Sequence, residues 1–290
     1  MLRRLLTACL IIVLFAGCNP ANPPGEAESP AETAGNTGGS LTPASSPTPS
    51  PADRMQQTPN TAAPVLATPP SNAQVCSPLH GFQITQLTDI VTTRFDPPAP
   101  GGEGGHHGVD FAFYSYGAFD TMEELPVQSV LEGKVAGAIG DRPPYGYTMI
   151  IETPVSSLPP SWQEYLLSLP QLEAYQPDPR LACPTPAASL PDTDQLSLYL
   201  LYAHLAETPV LEVGSQAGCG QQIGLVGSSG FSGNTHLHLE MRLGPAGVQF
   251  LHMAHYINNA SEEEMANYCA WRVGPQFRLI DPLELLLIEP

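Results

Sequence analysis

Eight histidines stand in this sequence, and three clusters of them have spacings that suit chemistry. THLHLEMRL (235–243) reads as a strand, in which alternate residues share a face. His236, His238, Glu240 and Arg242 then line one side, with Leu237, Leu239, Met241 and Leu243 toward a core. Two imidazoles spaced this way can act on one atom. GGHHGVDFAF (104–113) separates His106 from Asp110 by three residues, with Gly108 among them to give backbone freedom. Imidazole nitrogen and carboxylate oxygen are both natural zinc ligands. His107 competes with His106 for that role. LYLLYAHLAE (198–207) carries His204 on a strand face expected to include Leu200 and Tyr202. Pooled, these clusters hold the donors of a catalytic zinc site with an open position. No H-E-x-x-H is present to supply a glutamate base, and GSSGFSG (227–233) lacks the G-x-S-x-G spacing of a serine nucleophile. His80, His252 and His255 have no role that spacing assigns.

The elements around these clusters read mostly as β. Strands are expected at 147–152, 198–205, 221–227 and 235–243, and LPVQSVLEGKVAGAIG (125–140) reads as short strands with a turn at Glu132-Gly133. The pattern breaks at 153–197, where SWQEYLLSLPQLEAY suggests one or two short helices. It breaks again at 250–276, where Ser261 and Glu264 form a capping box ahead of a helix. The fold class expected is mainly β: a compact antiparallel sheet domain over 76–290 with two partly helical insertions. The first insertion leaves near Glu152 and returns only six residues before His204, so a lid or cleft wall is expected of it.

With 28 acidic and 10 basic side chains the net charge is −18, which excludes holding a phosphate backbone by charge, hence no nucleic-acid partner. Residues 1–17 combine Arg3 and Arg4 with an apolar stretch too short to span a bilayer, as in a signal peptide. Leu14-Phe15-Ala16-Gly17-Cys18 resembles a bacterial lipobox, which implies an exported chain lipid-anchored to the outer face of a membrane through Cys18. Residues 18–75, rich in Pro, Ala, Ser and Thr, read as a disordered tether. Cys76, Cys183, Cys219 and Cys269 suggest two disulfides in an exported domain, with three pairings open. Cys183–Cys219 is expected to pin the first insertion to the strand at 221–227, leaving Cys76–Cys269.

Taken in order, HHGVD, YAHL, G-LVGSSGFSGNTHLHLE and DPLELL resemble the lysostaphin-type zinc endopeptidases that hydrolyse bacterial peptidoglycan. LPVQSVLEGKVAGA is similar to the β-hairpin that follows the first motif in that family, and Thr93-Arg94-Phe95 loosely echoes its upstream element. The resemblance implies a duplicated-hybrid-motif fold. It implies one zinc ion held by His106, Asp110 and His238, with His204 and His236 as catalytic histidines. Its substrate would be peptidoglycan peptides. A second class is a catalytically silent cell-wall binding module, or an activator of another murein hydrolase.

Overall fold

The computed structural model describes residues 73–170, 174–184 and 194–290. The expected signal peptide, Cys18 lipidation site and nearly all of the tether lie outside the described residues. The domain is mainly β and antiparallel. β1 (Val91–Thr93), β2 (Val109–Phe111), β4 (Gly133–Ile139), β5 (Tyr147–Pro154), β6 (Leu196–Leu205), β7 (Gln216–Ala217), β9 (Leu237–Pro245) and β10 (Arg278–Ile280) form one sheet. Its order is β1-β2-β9-β6-β5-β4-β7, with β10 on β9 beyond the β2 pairing. β3 (Pro126–Gln128) and β8 (Gln222–Leu225) make a second, two-stranded sheet. The stretch 125–140 is therefore not a hairpin: β3 pairs with β8 and β4 with β5 and β7, so the turn between them carries the chain from one sheet to the other.

β9 lies inside the sheet, paired to β6 along one side and to β2 and β10 along the other. Its alternation sends Leu237, Leu239 and Met241 into a core with Val109, Phe111, Leu200 and Tyr202. The opposite face carries His238, Glu240 and Arg242, level with Ala203, Leu201 and Tyr199 of β6. That face has its own core. Val248, Phe250, Met253, Tyr268, Trp271 and Phe277, from and around the second insertion, pack on Tyr199, Leu201 and Ala203. Two-sided burial explains why β6 reads as a continuous apolar run.

The second insertion contributes the helix α2 (Glu262–Arg272), with Ser261 and Glu264 forming both bonds of the capping box. The first contributes α1 (Pro160–Ser168), and the chain ends in α3 (Pro282–Leu286), capped by Asp281. α1 does not overhang the cleft. Trp162 and Leu166 belong to the core on the face opposite the histidines, and the Trp162 indole donates to the Ile288 carbonyl at 3.2 Å. Six residues of extended strand span about 20 Å, so a root that is near in sequence is far in space. After Tyr175 the insertion instead backs the loop that precedes His106. The amides of Gln176 and Asp178 donate to the carbonyls of Pro100 and Gly101 at 2.9 and 3.0 Å.

The disulfides are Cys76–Cys219 and Cys183–Cys269, with Cα–Cα distances of 5.7 and 5.8 Å, and not the expected pairs. Cys76 and Cys219 meet at one turn, where the Cys76 amide donates to Val130 O and the neighbouring Gly220 amide to Ser129 O. Cys183 is carried to α2 by the segment that backs the loop ahead of His106, so the first insertion is pinned to the second and not to the strand at 221–227.

Candidate metal centre

β2 and β9 bring two of the three expected ligands together directly, since Asp110 pairs with His238 across the ladder. His106 arrives from the loop ahead of β2, held by reciprocal backbone bonds with Asp96 of 2.7 and 2.8 Å. Gly105 makes that approach possible, with φ of +73° and a Cβ position only 2.1 Å from the Asp96 carbonyl oxygen. Gly108 serves contact and not a special φ: a Cβ there would stand 2.3 Å from the Leu239 carbonyl oxygen.

Three atoms converge. His106 Nε2 is 3.1 Å from Asp110 Oδ1 and 3.2 Å from His238 Nδ1, and Asp110 Oδ1 is 2.7 Å from His238 Nδ1. Tetrahedral zinc with bonds near 2.0–2.1 Å would hold its ligand atoms about 3.3 Å apart, so the spacing fits such an ion after a slight spreading. The tautomers fit as well. His106 Nδ1 is 2.9 Å from the Arg94 carbonyl, which only an N–H can satisfy, so the neutral ring turns a lone pair at Nε2 toward the cluster. His238 Nε2 is 3.1 Å from Glu240 Oε1, which leaves its Nδ1 as the inward lone pair. Two lone pairs and a carboxylate oxygen facing one another call for a cation. The same demand shows in the titration. Burial alone would lower His238, but Asp110 and Glu240 outweigh it and raise it to about 9. Burial would raise Asp110, yet the bonds from His106 and His238 hold it well below the usual carboxylate range.

His204 and His236 flank this cluster, with ring centroids 4.7 Å apart. Alternation alone would send His204 into the opposite core beside Tyr202. It does not, because β6 carries an extra residue there: Tyr147 faces Leu205 and Met149 faces Tyr202, so Thr148 opposes both Ala203 and His204. His204 takes φ of +60°, and Leu205 returns to the core that holds Tyr202. The expected shared face of Tyr202 and His204 is thus replaced by a bulge that turns the imidazole to the metal side. A non-glycine residue in this conformation costs about 1–2 kcal/mol, and here it sits beside the cluster. His204 Nδ1–H donates to Ser229 O at 2.8 Å and His236 Nδ1–H to Asn234 O at 2.9 Å, so both rings present Nε2 as an acceptor. His236 Nε2 is 3.6 Å from Asp110 Oδ1. Burial, then the positive His238, lowers His204 to about 4, so it stays neutral around pH 7.

His107 is excluded as a ligand. It is fully buried, with Nε2–H donating to Gly104 O at 3.0 Å and Nδ1 accepting from Arg242 Nη2 at 3.0 Å. Burial and the two arginines Arg242 and Arg272 lower it to about 3. His255 is also structural, its Nε2–H donating to Ala182 O and its Nδ1 accepting the Tyr256 amide.

Spacing missed the role of Glu240. It is fully buried and accepts from His238, Tyr145 (2.7 Å), Arg242 (2.8 and 3.1 Å), Trp271 (2.9 Å) and Arg272 (3.3 Å). The sequence signal was its place two residues after His238 on one strand face. Its partners on α2 had none.

No protein-family model matches the chain, and no curated protein is similar to it at a significant level. Solved structures similar to it include an M23 peptidase from Pseudomonas aeruginosa, at 19% identity and TM-score 0.32 over 60% of this chain and 47% of that one. A zinc-containing peptidase from Vibrio cholerae matches at 20% identity and TM-score 0.30, over 52% of this chain and 32% of that one. The catalytic domain of lysostaphin from Staphylococcus simulans matches at 18% and 0.35, over 70% and 97%. The chain thus spans under half the length of the first two. Likenesses this faint carry no argument.

Proposed function

We propose that this chain is a zinc-dependent endopeptidase that cleaves peptide cross-links of bacterial peptidoglycan. The observation that carries the metal and the hydrolysis is the convergence of His106 Nε2, Asp110 Oδ1 and His238 Nδ1, flanked by two imidazoles with acceptor Nε2 atoms. The substrate class rests on the motif resemblance. A zinc ion on those three atoms would supply Lewis acidity that lowers the pKa of a water and polarises the scissile carbonyl. The chain's own groups handle the protons. His204 is neutral, and its Nδ1–H is committed to Ser229, so its Nε2 is free to accept a proton and deliver it to the departing amine. His236, fixed the same way by Asn234, forms the other side of the reacting space with its Nε2 turned toward it. Export and anchoring through Cys18 belong to the same proposal, and the two disulfides support an oxidising compartment.

The test combines zinc analysis with digestion of purified sacculi and defined muropeptides. His106→Ala, Asp110→Ala and His238→Ala should lose zinc and activity together. His204→Ala and His236→Ala should keep zinc and lose about 10²–10⁴-fold in turnover. Zinc binding by the parent without release of any peptide fragment would leave the silent cell-wall module in place of the enzyme.

A further inference from the structure

The loop delivering His106 reads PPAPGGEGGH from Pro97 to His106, with four glycines and three prolines around one acid, Glu103. So glycine-rich a segment has much conformational freedom to lose, and contacts at its tip must compensate. Glu103 supplies them. Its Oε1 accepts from the Tyr268 hydroxyl at 2.8 Å and from the Tyr256 hydroxyl, both on the second insertion. Arg272 of α2 lies alongside, with Nε 3.6 Å from Oε1 and Nη2 donating to the Glu103 carbonyl at 3.3 Å. The same guanidinium donates through Nη1 to Glu240 Oε1 at 3.3 Å, the oxygen that receives His238 Nε2–H. One helix therefore touches both segments that supply imidazole ligands: the loop of His106 through Glu103, and His238 through Glu240.

We infer that Glu103 is a positioning residue of the metal centre, a latch by which the second insertion fixes His106 relative to His238. This rests on the zinc reading above. It makes the insertion part of the metal site, and it gives the lone acid among those glycines a task. The amides of Gln176 and Asp178 hold the loop at Pro100 and Gly101, and the Asp178 carboxylate accepts from the Glu103 backbone; none of these contacts ties the loop to the second insertion, which the Glu103 side chain does.

The experiment measures zinc affinity of the whole chain by chelator competition, together with the visible spectrum of the cobalt-substituted protein. Glu103→Ala should weaken zinc about 10–100-fold, as loss of an orienting contact does, and should alter the cobalt bands. Glu103→Gln keeps an oxygen that accepts from both tyrosine hydroxyls, and should stay within about fivefold of the parent. Melting in chelator reads the stability cost separately from metal affinity, because in Glu103→Ala the hydroxyl of the buried Tyr268 loses its acceptor. Tyr256→Phe, on a half-exposed ring, provides a second route and should weaken zinc severalfold. Parent-like zinc binding in both Glu103→Ala and Tyr256→Phe would overturn the latch and leave the metal reading standing. Equal losses in Glu103→Ala and Glu103→Gln would also overturn it, since charge and not position would then be at work. A parent that binds no zinc would overturn both readings together.

Discussion

Replacing Glu240 by glutamine keeps the shape of the side chain and removes one buried charge. Glu240 Oε2 accepts from Arg242 Nε and Nη2 and from Trp271 Nε1, while Oε1 accepts from Tyr145, His238 and Arg272. Every one of these partners is a donor. Whichever oxygen becomes an NH₂ group then faces three donors, and Arg242, 1% exposed, loses its only salt-bridge partner among the described residues. Breaking a buried ion pair from one side costs about 3–5 kcal/mol. For a domain of this size each kcal/mol moves Tm by about 2–4 °C, so Glu240→Gln should lower Tm by roughly 6–20 °C. The measurement is thermal unfolding by circular dichroism, in chelator so that metal affinity does not enter, with disulfides intact. Glu164→Gln, at an exposed position on α1, is the control and should stay within about 0.5 kcal/mol. A Glu240→Gln protein that melts within about 2 °C of the parent would refute the claim that this carboxylate compensates the arginines.

Three further outcomes are expected. Gly108→Ala sets a Cβ against the backbone at Leu239, so it should cost at least about 1–3 kcal/mol and weaken zinc by displacing the segment between His106 and Asp110, read by chemical denaturation and metal titration. Because the folded His204 has a pKa lowered to about 4, its contribution to stability is present above about pH 6.5 and is lost as pH falls from there toward 4; His204→Gln should flatten that part of the stability profile, measured by urea unfolding across pH. Peptide mapping without reduction should recover Cys76 with Cys219 and Cys183 with Cys269, and Cys183→Ser with Cys269→Ser should cost about 2–5 kcal/mol.

Much of the site was legible in the sequence because it depends on short-range periodicity. The two-residue repeat of β9 put His236, His238, Glu240 and Arg242 on one face, and the tertiary structure keeps them there. The capping box at Ser261 and Glu264 needs only four residues, and it forms. His106 and Asp110 lie on one short segment, so their convergence needed only His238 to arrive from across the ladder. What the sequence could not determine were contacts closed over long separations and departures from regular alternation. Which of His106 and His107 faces Asp110 and His238 is decided by Arg242, 135 residues from His107, which takes the second imidazole into a buried hydrogen bond. His204 reaches the metal side through one extra residue in β6, and a bulge leaves no mark in an otherwise regular apolar run. The disulfides follow where loops return, so proximity along the chain misassigned them and also placed the first insertion over the cleft. Sequence periodicity determined which side chains face together; only the packing of α2 and its loops against the sheet decided which of them are tied, charged and oriented, because buried charges take their partners from whatever the fold brings within hydrogen-bond distance.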